Sequence, residues 1–274
     1  MSQENFLSQQ DALQKTQFNF AGKQVWVTGA GQGIGYEIAQ YFSALGAQVV
    51  GFDRHFPDKE LADEVNPATH QFKKIQLDIT DKKNIPSVVR NLLVENSQLD
   101  VLVNAAGILR LGALDELTLD DWQACFDVNV SVVFYLVREL IPHFKQQRKG
   151  SIVNVASNAA HVPRINMGAY CASKAALVSL SHCIALELAQ FNVRCNLVSP
   201  GSTDTPMLQN MLGGEAGYKR TIAGLPEQFK LGIPLKKIAT TKEVANTVLF
   251  LASDLASHIT MQDIVVDGGA TLAA

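Results

Sequence analysis

The stretch "VWVTGAGQGIGYEIA", residues 25–39, joins an apolar strand-like run to a helix-like run through a glycine-rich turn. Gly29, Gly33 and Gly35 let the chain turn tightly and bring backbone N–H groups close to an anion, which the N-terminus of the next helix stabilises. A glycine turn alone says little, because any tight strand-to-helix connection uses one. It gains meaning from Asp53, which ends the second apolar run 18 residues after Gly35. A carboxylate there accepts hydrogen bonds from an adenosine ribose, so the pair predicts a dinucleotide site. It also predicts which one. A 2'-phosphate beside Asp53 meets repulsion of about 4 kcal/mol per charge pair at ~4 Å and an effective dielectric of ~20, which favours NAD over NADP.

Outward from this turn, strand-like runs alternate with helix-length stretches. "QVWVT", "AQVVGFD", "FKKIQLD", "LDVLVNAA", "GSIVNVAS", "VRCNLVSPG" and "DIVVDGG" are the strands. Segments starting near Gly33, Asp81, Thr118, Met167 and Thr241 keep a 3.6-residue apolar rhythm between them. The alternation predicts an α/β fold: a single-domain, Rossmann-type, doubly wound parallel sheet of about seven strands with helices on both faces. Residues 1–20 are a polar, Gln-rich extension, 21–274 one domain, and no linker or internal repeat divides it.

The 274 residues are 47% hydrophobic and 18% charged, with net charge −3, the balance of an ordinary globular protein. No basic block or aromatic-interleaved stripe points to nucleic acid. The first 20 residues lack a cationic segment followed by an apolar core, so a cytoplasmic protein with no membrane partner is expected. Cys125, Cys171, Cys183 and Cys195 form no C-x-x-C pair, which speaks against a metal site and for reduced core thiols. From Tyr170 to Ala189 the only formal charges are Lys174 and Glu187, and "VNVSVVFYLV" is equally bare. Helices apolar on their outer side as well predict burial against another subunit, in a homo-oligomer of two or four chains.

The chemistry-bearing residues gather at one sheet edge. Asp78 closes the third strand, Asn104 to Gly107 ("NAAG") the fourth, Ser157 the fifth and Pro200 the sixth. Doubly wound folds bind ligands at the carboxyl ends of their strands. Tyr170 and Lys174 stand one helical turn apart in "AYCASKAA", on one helix face.

T-G-x-x-x-G-x-G at Thr28–Gly35, "NAAG", the serine and Y-x-x-x-K at Tyr170–Lys174, in this order, resemble the short-chain dehydrogenase/reductase family over nearly the whole chain after Gly22. Met261 departs from the pattern, standing where many members have glycine before "VDGG". The resemblance implies that Tyr170 is a general base whose pKa falls toward neutrality beside Lys174 and the nicotinamide charge, and that Ser157 holds the substrate oxygen. It implies that Lys174 also holds the nicotinamide ribose and that Asn129 anchors a proton-relay water. Gly29, Gly33, Ile34, Gly35, Asp53, Asp78, Ile79, Asn104, Ala106, Gly107, Tyr170, Lys174, Pro200, Thr203 and Thr205 are, by the same likeness, the contacts of the cofactor.

Arg110 and Arg164 flank the expected reacting carbon and suit a carboxylate. The stretch 207–235, rich in glycine and apolar residues, reads as a substrate lid. "NAAGILRLGALDEL", "VASNAAHVPRINMGAYCASKAAL" and "EQFKLGIPLKKIA" are similar to one branch of the family, dehydrogenases that use NAD to turn a dihydrodiol carboxylate into a catechol for siderophores. That likeness implies neighbouring enzymes of the same pathway as partners. A carrier-protein ketoreductase shares every catalytic residue named here, but usually prefers NADPH. A silent nucleotide sensor would not need an intact Ser157, Tyr170 and Lys174.

Overall fold

The computed structural model describes residues 18–57 and 72–272. The N-terminal extension, apart from Phe18 to Phe20, lies outside the described residues. Seven parallel strands form one sheet: β1 (Gln24–Thr28), β2 (Gln48–Asp53), β3 (Lys73–Gln76), β4 (Val101–Asn104), β5 (Gly150–Val155), β6 (Val193–Pro200) and, last in the chain, β9 (Asp263–Val266), in the order β3-β2-β1-β4-β5-β6-β9. All seven strands fall inside the runs expected from the sequence. The order reverses between β1 and β4, which opens a crevice beyond their carboxyl ends.

Each central strand is apolar on both sides because both faces are covered. Val25 and Val27 of β1 point to one face, where they join Phe42 of α1 (Gly33–Ala44) and Val248 and Leu249 of α8 (Thr241–Ala252). Trp26 points to the other face. It shares a core there with Val89 of α2 (Ile85–Glu95), Leu136 and Phe144 of α4 (Val132–Gln147), and Leu177 and Leu188 of α5 (Gly168–Ala189). Truncating Phe42, Phe144, Leu177, Leu188 or Leu249, all fully buried, to Ala would cost about 2–5 kcal/mol.

Parallel register sets Thr28, Asn104 and Asn154 side by side on β1, β4 and β5. Asn104 Nδ2 donates to Asn154 Oδ1 at 2.8 Å, and Asn154 Nδ2 donates to Ser181 Oγ of α5, also at 2.8 Å. A buried chain of amides therefore ties the sheet to that helix.

Two features differ from the expected pattern. The helix expected from Thr118 onward runs as α3 (Leu119–Phe126), one wider turn over Asp127–Ser131, and then α4. Val132 N–H bonds Asp127 O, five residues back, and this π-type turn carries Asn129. The stretch 207–235 is not a bare loop. It contains most of α6 (Pro206–Leu212), then α7 (Glu215–Ala223) and a hairpin of β7 (Gly224–Leu225) and β8 (Lys230–Leu231). Short helices capped by Thr205 and split by Gly213 and Gly214, both at positive φ, leave little periodicity to read.

Candidate active site

Ser157, Tyr170 and Lys174 face one cavity of about 420 Å³ at the carboxyl edge of the sheet. That size suits a small ligand. Ile34, Gly107, Pro200, Thr203 and Thr205 line it, as does Arg164. Residues of 207–235, among them Met207, Leu208, Leu225 and Ile233, roof it.

Lys174 is buried, 3% exposed, and its Nζ donates to Val155 O at 2.8 Å. Burial pushes its pKa down to about 8. The Nζ lies 5.9 Å from the centre of the Tyr170 ring. The expected fall in the Tyr170 pKa is absent from the protein on its own. Burial raises it, and a hydrogen bond with the Ser157 side chain opposes that rise without overcoming it. Desolvation outweighs that hydrogen bond, and a further positive charge in the cavity would bring the value down. Ser157 also caps the short turn Asn158–Ala160 by accepting from Ala159 N at 3.2 Å.

Asn129 is buried and fully engaged. Its Oδ1 accepts from Ile108 N at 2.9 Å, while its Nδ2 donates to Ile108 O at 3.0 Å and Ser173 Oγ at 2.9 Å. It clamps the loop after β4 to α5. A Cβ on Gly107 would stand 3.3 Å from Asn129 Oδ1 and 3.4 Å from Lys174 Nζ, so this loop residue has no room for a side chain without displacing them.

At the other end of the crevice, Asp53 Oδ2 accepts from Gly31 N at 2.9 Å, and its Oδ1 from His55 N at 3.1 Å. Gly31 was not singled out by the spacing argument. A Cβ on it would lie 2.8 Å from Asp53 Cγ, and the middle glycine of "GAGQG" is the signal for it in the sequence. At Gly35 a Cβ would run into the carbonyl of Gly29, so α1 packs against the turn only through glycine. The α1 N-terminus has no side-chain cap and no acid in its first turn. An uncapped helix N-terminus there, with a carboxylate at the end of β2 that pairs with no cation among the described residues, fits the pyrophosphate and ribose of a dinucleotide.

The remaining cofactor candidates divide. Leu77 N donates to Asp53 O at 2.8 Å, which brings Asp78 and Ile79 beside β2. Asp78 is exposed, and hydrogen bonds from Thr80 hold its carboxyl below the usual range. The Ile79 side chain packs into the core. Asn104 turns its amide into the sheet, and Ala106 packs on the core below the cavity.

Arg110 does not join the cavity. Leu109 and Leu111 line it, and the alternation sends Arg110 outward, where its Nε pairs with Asp121 Oδ1 of α3 at 3.0 Å. The expectation that Arg110 contacts substrate is therefore corrected, and Arg164 alone of the two arginines faces the site. Cys183 also departs from expectation: it is exposed on α5 rather than a core thiol.

The family model described as Enoyl-(Acyl carrier protein) reductase matches residues 29–271. The chain belongs to the short-chain dehydrogenase/reductase family. Among short-chain dehydrogenases/reductases it is 54% identical to 2,3-dihydro-2,3-dihydroxybenzoate dehydrogenase of Escherichia coli, over 93% of this chain and 100% of that one. It is 42% identical to the Bacillus subtilis enzyme of the same name, over 92% and 97% of the two chains. The solved aldohexose dehydrogenase of Thermoplasma acidophilum superposes with a TM-score of 0.82 at 31% identity, covering 93% of this chain and 96% of that one. Short-chain dehydrogenases/reductases of this kind use a nicotinamide dinucleotide and act on small molecules.

Proposed function

We propose that this chain oxidises 2,3-dihydro-2,3-dihydroxybenzoate to 2,3-dihydroxybenzoate with NAD, a step in making catechol siderophores. The observation that carries the reading is Arg164 opening into the same apolar-walled cavity as Ser157, Tyr170 and Lys174, a seat for a ring that bears an acid. The 54% identity to an enzyme of that name supports it.

Gly29 to Gly35 would hold the pyrophosphate, Asp53 the adenosine ribose and Lys174 the nicotinamide ribose. Among the described residues no lysine or arginine pairs with Asp53, which favours NAD over NADP. When bound, the nicotinamide supplies the hydride acceptor. Ser157 Oγ donates to the carbinol oxygen and fixes its distance from Tyr170. Tyr170 Oη takes the hydroxyl proton as hydride leaves the same carbon, so the carbinol becomes a ketone, which tautomerises to the aromatic catechol. Lys174, with a pKa of about 8, is mostly ammonium at neutral pH and stabilises the phenolate. The relay of that proton toward solvent runs through Lys174 and a water anchored beside Asn129. The segment 207–235 closes over the ring as a lid.

Phe134 on α4, and Cys183 and Leu186 on α5, present an apolar outer face that we assign to subunit contacts in a homotetramer. Among the described residues only α5 is long and apolar enough to cross a membrane, and it packs against β6 within the fold. A cytoplasmic enzyme alongside its pathway partners fits this reading.

Mixing protein, NAD and the dihydrodiol should give NADH absorbance and catechol fluorescence. Tyr170→Phe should keep NADH binding and lose turnover by about 10²-fold or more. Turnover of ketones alone, with NADPH, would replace this reading with that of a reductase.

A further inference from the structure

Leu225 and Lys230, which pair across the β7–β8 hairpin, both line the cavity. Between them the turn Pro226–Gln228 ends at Phe229, whose φ of 53° is left-handed and whose side chain is 89% exposed. That conformation is unfavourable for a bulky aromatic residue. Its effect is to return the chain so that Phe229 faces solvent and Lys230, half-buried, lines the cavity.

Lys230 shares this cavity with Arg164, which comes from the loop between Ser157 and Tyr170. Neither cation has an acidic side chain within ion-pair distance among the described residues. Glu227, the acid on the hairpin, is held by Arg220 Nη2 at 2.7 Å. Asp267 attracts Arg164 only from a distance, its carboxylate being occupied by Asn158, Gly269 and Thr271. Two like charges drawn together into a half-buried space oppose each other. Burial first, and the Arg164 charge second, pull the Lys230 pKa down. An anion between them removes both costs.

We propose that Lys230 is the second cation of a carboxylate seat, so that the acid group of the substrate is held between its ammonium and the Arg164 guanidinium. The proposal rests on the dihydrodiol carboxylate reading above and adds a specificity-determining residue to it. Arg164 comes from the loop before α5 and Lys230 from the roofing segment 207–235. The carboxylate therefore draws the roof onto the ring, and recognition of charge and enclosure of the reacting carbon become one event. The cofactor phosphates are not competing occupants, because their glycine turn lies at the start of α1.

Lys230→Met and Lys230→Arg, checked for native circular dichroism, test this in two assays. In the first, kcat and KM are measured with the dihydrodiol carboxylate and with its neutral carboxamide. Lys230→Met should lose about tenfold to a hundredfold of the preference for the carboxylate, chiefly through KM, and Lys230→Arg should recover most of it. A preference within twofold of the native protein overturns the proposal. In the second, calorimetry compares binding of 2,3-dihydroxybenzoate and catechol to native protein and Lys230→Met. Selective weakening of the acid by about tenfold or more supports the seat, and equal affinities overturn it. A native protein that binds the acid through Lys230 yet does not oxidise the dihydrodiol would refute the function and keep the seat.

Discussion

Lys174 should make the folded protein less stable at neutral pH than its own packing allows. Its ammonium is buried, and its pKa falls from 10.5 to about 8. Between those values the unfolded chain binds the proton more tightly than the folded one. The penalty is therefore complete below about pH 8 and fades as pH rises toward 10.5. A shift of this size corresponds to roughly 3 kcal/mol at 1.36 kcal/mol per pH unit. Lys174→Met has no such proton, though it leaves the Val155 carbonyl without its donor, a loss of about 1–3 kcal/mol that does not vary with pH. Urea unfolding of both proteins without cofactor, at one protein concentration, separates the two effects. From about pH 7 to about pH 9.5 the native protein should gain about 2 kcal/mol on Lys174→Met. Tyr170, its pKa raised by burial, stays protonated over that range and does not interfere. Stability curves that run parallel would show that Lys174 keeps an ordinary pKa, and the argument from burial would fail.

Two further substitutions probe the cofactor end and the fold. Asp53→Asn keeps an acceptor for Gly31 N but removes the charge, so NADPH affinity measured by fluorescence titration should rise on the order of a hundredfold relative to NADH; an unchanged ratio would mean that Asp53 does not face the 2' position. Met261 has φ 61°, a left-handed conformation costing a non-glycine residue about 1–2 kcal/mol, partly matched by the extra chain entropy of glycine. Met261→Gly should raise the melting temperature by about 2 °C, and a fall would show that the methionine packs better than its 37% exposure implies.

The sheet was legible because its central parallel strands, buried on both faces, are apolar at successive positions and strand-like runs alternate with helical stretches; the edge strand Lys73–Gln76 is mostly exposed. Tyr170, Lys174, Ser157 and the glycine turn were legible because their chemistry needs fixed spacing along one or two elements. Arg110 misled because spacing places a residue near a site without saying which way its side chain points: in "ILRLG" the leucines face the cavity. Lys230 was invisible for the converse reason. It reaches the site through the hairpin turn and the left-handed Phe229, neither of which has a periodic signature. The raised Tyr170 pKa also lay beyond the sequence, since it depends on how deeply the phenol is buried.

The amide chain from Asn104 through Asn154 to Ser181 sets a tolerance for the whole machine. Apolar cores accept many combinations of side chains as long as volume is kept, and layers packed only by such contacts can slide by a fraction of an ångström as their residues drift. Hydrogen bonds are far less forgiving of length and angle. By running two of them from β4, which leads into the loop Ala105–Gly107, to the helix that carries Tyr170 and Lys174, the protein gauges the separation of these two parts in bond lengths. The surrounding hydrophobic residues are then free to change between related proteins without putting the hydride acceptor out of line with Tyr170, the proposed proton acceptor.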